Sequence, residues 1–263
     1  GRRGRGRAYR LGVVRAEAAY AARWELVGVG GVVVAVDVLR AFTTAAYALA
    51  AGASAIWLAG GVEEAVALGR SIPGALVMGE EHGRRPPGFD LSNSPVEASR
   101  ADVAGRPLVQ RTSAGTQGVI AAVDAERVFA ASLVCASATA AAVAATGLGA
   151  PTYVITGRFP DRRADGPDGE DDLITAELIE RARTGPPLSA GEAAAAARAV
   201  AASREAEITL AVGAGHVHPD DIAYATAVDR FAFAMEVERV HGRLRLVRRD
   251  PPPPAPSPEP GPR

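Results

Sequence analysis

Polar side chains directly follow an apolar run in the stretch "VVVAVDVLRAFTTAAYALAAGA", which covers Val32–Ala53. A continuous β-branched run of this kind is typical of a buried strand. A carboxylate close to a guanidinium and small hydroxyl groups can hold a divalent cation together with an oxyanion. The first candidate site residues are therefore Asp37, Arg40, Thr43 and Thr44.

The stretch "QRTSAGTQG" offers a second set of groups for an anion. Its small residues precede a predicted helix, where free backbone N–H groups and the positive end of the helix dipole favour negative charge. Arg111 could grip a phosphate through two hydrogen bonds. An N-cap by Thr112 or Ser113, without any ligand, explains the same pattern equally well. The anion-binding candidates here are Arg111, Thr112, Ser113, Gly115 and Thr116.

Acidic residues in several predicted loops could supply oxygen ligands to Mg²⁺, which prefers a few carboxylates together with waters and substrate phosphate. Glu80 follows the predicted strand "GALVMGEE", and Asp90 lies in the loop "GFDLSNSP". In that loop Asn93 and Ser94 could serve only the turn, and "GEDD" could be no more than a negatively charged first helical turn. The predicted metal ligands are Asp37, Glu80, Asp90, Glu170 and Asp171.

Three further features carry weaker signals. Cys135 lies in the apolar stretch "LVCASA", which favours an inert buried thiol over a nucleophile. His82 could be a general acid or an exposed surface residue. His216 and His218 invite a metal interpretation, but they lack a third ligand at fixed spacing, so a helix cap by Asp220 is the favoured alternative.

The elements that must position these residues alternate between strands and helices along the chain. This rhythm predicts an α/β fold, layered α/β/α with a mostly parallel or mixed sheet. In such sheets ligands bind beyond the carboxyl ends of the strands, which is where the candidate residues concentrate. Residues 15–24 are predicted as a short amphipathic helix, residues 207–215 as a strand, and residues 231–248 as late strands.

Length and composition limit the function further. The 263-residue chain is expected to form a single α/β domain over residues 9–249, between a flexible basic arm at 1–8 and a disordered proline-rich tail at 250–263. The net charge of −1 argues against a nucleic-acid partner, and no apolar run reaches the roughly 18 residues of a membrane span. A single cysteine excludes an internal disulfide and makes a reducing cytoplasm the expected location.

The motifs together resemble one known family. "VVVAVDVLRAFTTA", "GFDLSNSP", "RTSAGTQG", "ASLVCASATA" and "GEDDLITAEL" occur in the order and spacing of the 2-phosphosulfolactate phosphatase family, roughly from Val32 to Phe233. The resemblance implies a Mg²⁺-dependent phosphatase that converts 2-phospho-3-sulfolactate to 3-sulfolactate and phosphate, in methanogens a step toward coenzyme M. It also implies an α/β architecture and is compatible with a homodimer.

The resemblance can be carried over position by position. The family motifs mark Asp37, Arg40, Thr43, Thr44, Glu80, Gly88, Asp90, Asn93, Ser94, Thr112, Gly115, Thr116, Glu170 and Asp171. We predict that four residues are catalytic, namely Asp37, Arg40, Glu80 and Asp90. The residues predicted to bind substrate are Thr43, Thr44, Asn93, Ser94, Arg111, Thr112, Ser113, Gly115 and Thr116.

Three departures from the family pattern leave a second interpretation open. The chain has Glu81 where the family often has Arg, and Ala114 and Cys135 where it usually has Asn. These changes make the reaction type a safer expectation than the substrate, and they favour a non-catalytic phospho-ligand-binding or scaffold protein as the alternative. The many acids around an anion site favour an enzyme with a metal ion.

Overall fold

The computed structural model of the chain describes residues 17–160 and 168–250. The predicted arm at 1–8 and the part of the predicted tail beyond Asp250 lie outside these residues. No helix in the described ranges has the length and apolar character needed to cross a membrane.

The described residues form one ten-stranded mixed sheet with the order β1-β8-β2-β7-β9-β10-β3-β6-β4-β5. Parallel pairs make up both ends of the sheet, and the antiparallel hairpin of β9 and β10 joins them. The strands are β1 (Ala19–Ala21), β2 (Val32–Val36), β3 (Ala55–Leu58), β4 (Leu76–Gly79), β5 (Leu91–Ser92), β6 (Pro107–Arg111), β7 (Arg127–Ala131), β8 (Thr152–Ile155), β9 (Ala234–Val240) and β10 (Arg243–Arg249).

Helices follow most of the strands, so the α/β prediction with a mixed sheet is confirmed. The helices in the described ranges are α1 (Ala41–Ala50), α2 (Val62–Ser71), α3 (Pro95–Arg100), α4 (Gly115–Ala121), α5 (Ala136–Ala145), α6 (Glu170–Thr184), α7 (Ala190–Ala201), α8 (Arg204–Ala211) and α9 (Asp221–Ala225).

The sheet curls as a half-barrel, and α1 packs against residues from both of its parallel ends. Every residue of α1 from Ala41 to Leu49 is buried, as expected for a helix that is apolar all round. Its core includes Val33 from β2 and Leu108 from β6. The alternate residues of β2 instead pack with α5, α6 and α7. The apolar run seen in the sequence is therefore a strand covered on both faces, as predicted.

Two predicted elements are wrong. Of the helix predicted at 15–24, the structure describes residues 17–24, and these do not form an α-helix: β1 (Ala19–Ala21) pairs with β8, and a 3-10 turn follows at Arg23–Glu25. The predicted strand at 207–215 falls mainly on α8. The Ser203 Oγ accepts the Ala206 N–H at 3.3 Å and caps this helix, and the cap outweighs the β preference of "EITL".

The two parallel ends of the sheet run in opposite directions, because three antiparallel pairings separate β7 from β3. In a flat sheet the ends of β2 and β6 would thus lie at opposite edges. Sheets twist by roughly 20–25° for each pair of strands, and the twist accumulates over this wide, curled sheet. Contact between the two halves is direct: the Gln110 side-chain amide at the end of β6 donates to the Ala41 carbonyl at 2.9 Å.

Candidate functional site

A cavity of about 970 Å³ opens where the loops after β2, β4, β6 and β8 meet α6 and α8. Its volume lies at the upper end of the roughly 300–1,000 Å³ that is typical of small-molecule sites. The predicted site residues that line it are Asp37, Arg40, Glu80, Asn93, Arg111, Ser113 and Asp171.

Asp37 is the residue that directly follows β2 in the chain, and it is almost fully buried. Its Oδ1 accepts the Ala41 N–H at 2.8 Å, and its Oδ2 accepts the Thr156 hydroxyl at 3.3 Å. Burial raises the pKa of Asp37 to about 6; the Ala41 N–H opposes that shift, and the charge of Glu80 adds to it. A carboxylate with this pKa can exchange a proton near neutral pH, which suits a general base.

Two further aspartates lie at the start of α6 and are buried beside Asp37. Burial raises the pKa of Asp171 well above its ordinary value, and the charges of Glu205 and Asp37 act in the same direction. The pKa of Asp172 is raised by burial and by Asp171. Asp172 also links two loops, since it accepts the Val38 N–H at 2.9 Å and the Gly157 N–H at 2.8 Å.

Glu80 takes up the donors of the loop that was predicted to bind an anion. Its Oε1 accepts the Ser113 N–H at 2.5 Å, and its Oε2 accepts the Ser113 hydroxyl at 3.1 Å and the Gly83 N–H at 2.6 Å. The Thr116 N–H donates to the Thr112 hydroxyl at 3.0 Å. These donors are already hydrogen-bonded to acceptors within the protein. The loop therefore positions the acids of the cavity, and the same donors are not free to bind an anion.

Two arginines reach the cavity with acidic partners already beside them. Arg40 donates to Asp221 at 3.0 Å, and both side chains are buried. Arg111 lies 3.2 Å from Glu81 and also donates to the Glu80 carbonyl at 2.8 Å. The pairs hold both guanidinium groups in the lining of the cavity.

Asp90 and Glu170 lie away from the cavity, so the structure does not bring these predicted catalytic or metal-binding acids to it. Asp90 is exposed, and its carboxylate accepts the Val77 N–H at 2.8 Å, which fastens the loop to β4. Glu170 is exposed on the first turn of α6. For both residues the structural alternative, a turn or a helix start, fits the observed contacts.

The remaining predicted substrate-binding residues do not line the cavity but contact residues that do or that lie next to them. Thr43 donates to the Val38 carbonyl at 2.7 Å, and Ser94 caps α3 and donates to Asp221 at 2.6 Å. Gly115 passes so close to Asp37 that an added Cβ would lie 2.7 Å from its Oδ2. Six of the predicted substrate-binding residues are buried but do not line the cavity: Thr43, Thr44, Ser94, Thr112, Gly115 and Thr116.

Three acids of this region are absent from the predicted ligand set. Asp172 belongs to the acidic cluster "GEDD", which was considered as a source of Mg²⁺ ligands, but only Glu170 and Asp171 were chosen from it. Glu205 lies within α8, and its Oε1 accepts the N–H groups of Asp168 and Gly169 at 3.0 and 2.9 Å. Asp221 holds Arg40, while the predicted cap residue Asp220 makes no side-chain capping bond. Only "GEDD" offered a sequence signal.

The weaker candidates have structural roles. Cys135 is buried away from the cavity, and burial raises the pKa of its thiol, as expected for an inert thiol. The Nδ1 atoms of His216 and His218 accept backbone N–H groups at 3.0 and 3.1 Å. His82 is exposed and lies at the cavity rim, where its N–H donates to Ser113 Oγ at 3.0 Å.

The donor set of the cavity consists of oxygen atoms. Within residues 17–160 and 168–250, no three His, Cys, Asp or Glu side chains form a ready-made metal site. The buried Oε2 of Glu205 has no hydrogen-bond partner, and the charges of Asp37 and Glu205 both bear on Asp171. A bound cation would relieve the repulsion between these buried acids. Mg²⁺ suits the site, because it is usually coordinated by one or two carboxylates together with water and substrate phosphate.

Comparison with known proteins gives concordant matches. A family model described as 2-phosphosulpholactate phosphatase matches residues 22–239. Proteins named "Probable 2-phosphosulfolactate phosphatase" are similar: the one from Deinococcus radiodurans is 40% identical over 149 residues, covering 56% of this chain and 60% of the relative. Those from Thermus thermophilus and Bacillus subtilis are 42% and 35% identical, each over 56% of this chain and 60% and 61% of the relative. The match thus spans about three fifths of each relative.

Proposed function

Because the chain belongs to the 2-phosphosulpholactate phosphatase family, we propose that it hydrolyses a phosphorylated 2-hydroxy acid, 2-phospho-3-sulfolactate or a close relative, to the hydroxy acid and phosphate. The observation that carries this proposal is the joint placement of buried carboxylates and two arginines in one cavity. A phosphate monoester needs both, since cations must balance the phosphoryl oxygens while a base acts on water.

We propose Mg²⁺ as the cofactor, held by Asp37 and Asp171. Glu80 is a further candidate for a ligand; like those of Asp37, both of its oxygens also accept donors from the protein. Asp90, which sequence reasoning had placed among the ligands, is fastened to β4. When bound, the ion would supply positive charge to the phosphoryl oxygens.

In the proposed reaction Arg40 and Arg111 bind the phosphoryl oxygens and spread their negative charge in the transition state. Asp37 orients a water molecule and takes its proton. The water oxygen bonds to phosphorus while the ester P–O bond breaks, and the electron pair of the broken bond goes to the oxygen of the hydroxy acid. That oxygen takes up a proton from solvent, and Asp37 afterwards releases its proton to solvent. The competing route has Asp37 attack phosphorus itself and form an aspartyl phosphate. A single turnover quenched in acid separates the two, because a phosphoryl group covalently bound to Asp37 contradicts direct attack by water.

Phosphate release from 2-phospho-3-sulfolactate, measured with Mg²⁺ and again after EDTA, tests the proposal. We expect turnover with Mg²⁺, loss with EDTA, and recovery when Mg²⁺ is restored. The alternative is a non-catalytic protein that binds phospho-ligands, and it gains support from the occupied donors of the loop around Ser113. Binding of the ester without release of phosphate, across sulfonated and carboxylated phosphate esters, would favour that alternative.

A further inference from the structure

Among the described residues, Arg23 is the guanidinium group of the cavity lining that has no acidic partner. Arg40 and Arg111 each pair with an acid, whereas Arg23 makes a single hydrogen bond, to the neutral Ser113 carbonyl at 3.1 Å. Arg23 is also half-buried, so water screens its charge less than it would at an open surface. The positive charge of Arg23 is therefore available to an anion that enters the cavity.

The 3-10 turn at Arg23–Glu25 holds Arg23 in this position. The Glu25 N–H donates to the Ala22 carbonyl at 3.0 Å, and the Ala22 N–H donates to the Glu25 carboxylate at 2.6 Å. The turn is tied to the fold on both sides, by β1 before it and by Leu26, which is buried in the core, after it. The acid nearest to Arg23 in the sequence thus closes the turn and forms no ion pair with Arg23.

The ring of Phe159, which also lines the cavity, supports the guanidinium group of Arg23. The Arg23 Cζ lies 5.4 Å from the centre of that ring, a distance at which a cation is attracted to an aromatic face. The Ser113 carbonyl takes one N–H of the guanidinium, and the other N–H groups have no acceptor among the described residues. A sulfonate or carboxylate can accept hydrogen bonds from these remaining donors.

Arg23 and Arg111 are neighbours, because both contact Ser113. The Arg23 Nη1 donates to the Ser113 carbonyl, and the Arg111 Nη1 donates to the Ser113 hydroxyl at 3.5 Å. The Nε of Arg111 is buried without a hydrogen-bond partner in the described part of the chain, so Arg111 retains a donor for a ligand. In the proposed reaction Arg111 binds the phosphate, which is attached to C2 of the substrate. The adjacent guanidinium of Arg23 therefore suits a group on the adjacent carbon, C3.

We propose that Arg23 binds an anionic substituent on C3 of the substrate, a sulfonate or a carboxylate, and thereby selects which phosphorylated 2-hydroxy acids this chain hydrolyses. This inference rests on the proposed function and adds the residue that determines its specificity. The buried acids Asp37 and Asp171 repel a substrate anion, so a substrate with an anion beyond its phosphate needs a cation beyond those that bind the phosphate. Arg23 supplies that cation.

The test compares three esters that differ only in the substituent on C3. These are 2-phospho-3-sulfolactate with a sulfonate, 2-phosphomalate with a carboxylate, and 2-phospholactate with hydrogen. Their kcat/KM values are measured with Mg²⁺ present for the wild type and for Arg23→Gln. We expect the variant to lose at least tenfold with the two esters that carry an anion on C3, because it lacks the charge-assisted hydrogen bond. Its kcat/KM for 2-phospholactate should stay within twofold of the wild type.

The pattern across the three esters decides the inference. An equal loss with all three would show that Arg23 acts on a group they share or on the fold, and no loss would show that it does not bind substrate. Either result overturns the inference and leaves the proposed function standing. An ester that turns over too slowly for kinetics is measured as a competitive inhibitor instead. If the wild type hydrolyses none of the esters, the proposed function is overturned and the inference falls with it.

Arg84→Gln is the matched control for the loss of one positive charge. Arg84 is exposed and lies two residues beyond His82 of the cavity rim, but it does not line the cavity. We expect this variant to stay within twofold of the wild type with all three esters. The same selective loss in Arg84→Gln as in Arg23→Gln would contradict a direct contact, since net charge alone would then explain the effect. A thermal melt verifies that both variants fold.

Discussion

Asp37 serves the fold and the proposed chemistry with the same carboxylate. One oxygen accepts the Ala41 N–H at the start of α1, which is a structural bond that keeps the carboxylate charged. Burial acts in the opposite direction and is the larger effect, so the pKa of Asp37 is raised to about 6. The balance leaves a group that is ionised at neutral pH and yet basic enough to take a proton.

This balance predicts the pH dependence of turnover. If Asp37 must be ionised, kcat/KM should rise with pH and then level off. The pKa of about 6 applies to the metal-free protein, and a bound Mg²⁺ should move the rise to lower pH because the cation favours the charged carboxylate. Asp37→Asn should lower kcat by at least ~10²-fold, because it removes the base and retains a similar shape. Phosphate release measured from pH 4.5 to 8.5 follows both effects. Near wild-type turnover in Asp37→Asn would remove this residue from the mechanism.

Thr156 provides a control that acts on Asp37 without removing it. Its hydroxyl donates to Asp37 at 3.3 Å and lowers the pKa of that carboxyl. Thr156→Val deletes the hydroxyl with little change of shape, so the acid limb of the pH profile should move to higher pH. A residue that only supports the fold would change the rate without moving the limb.

At the scale of elements, the close approach of α4 to the loop after β2 sets the position of Asp37. The N–H of Gly115 donates to Asp37, and there is no room for a side chain at that position. An added Cβ would lie 2.7 Å from both the Asp37 Oδ2 and the Ala41 Cβ. The first residue of α4 therefore has to be glycine as long as Asp37 keeps its place.

We predict that Gly115→Ala lowers kcat strongly, because the new methyl group displaces Asp37 or pushes α4 from α1. Gly191→Ala is the matched control: Gly191 is exposed on α7, and an added Cβ there meets nothing closer than 3.9 Å. That change should leave turnover unaltered and should not destabilise the helix, because alanine is favoured over glycine in helices. Steady-state kinetics with a thermal melt checks both, and normal turnover in Gly115→Ala would show that the contact is unimportant.

The sequence predicts elements best where one local signal dominates. The apolar run of β2 and the charged, periodic pattern of α6 were both assigned correctly from the chain alone. Residues 19–21 and α8 were assigned wrongly. The first takes its conformation from pairing with β8, and the second from a serine cap against β-branched residues. In each case a contact that no local pattern contains decided the conformation.

At the scale of the whole molecule, the predicted meeting of Asp37, Glu80 and Arg111 in one cavity is what the structure shows, but the predicted geometry was too simple. These residues come from two half-sheets of opposite direction, which the curled sheet brings together around α1. Strand direction depends on the β9–β10 hairpin far along the chain. Spacing could therefore indicate which residues meet but could not indicate that Asp90 stays outside.

The acidic cluster should cost the metal-free protein stability at neutral pH. In the unfolded chain Asp171 ionises near its ordinary pKa of 3.8, whereas burial keeps it protonated to higher pH in the folded chain. The folded state then binds more protons than the unfolded state over that interval. Stability linked to Asp171 is accordingly complete below about pH 3.8, falls as pH rises toward the folded pKa, and stays low above it.

Asp171→Asn removes this penalty, because an amide does not ionise. In EDTA we expect its melting temperature to exceed that of the wild type at pH 8, and the difference to shrink as pH falls toward 4. Added Mg²⁺ should stabilise the wild type and have less effect on the variant, since a ligand stabilises only the state that binds it. Glu170→Gln removes an exposed carboxylate from the same helical turn and reports the effect of net charge alone. If the difference in melting temperature between Asp171→Asn and the wild type does not vary with pH, Asp171 is already ionised and its charge compensated in the folded protein. The buried acids would then need no cation, and the structural argument for Mg²⁺ would fail.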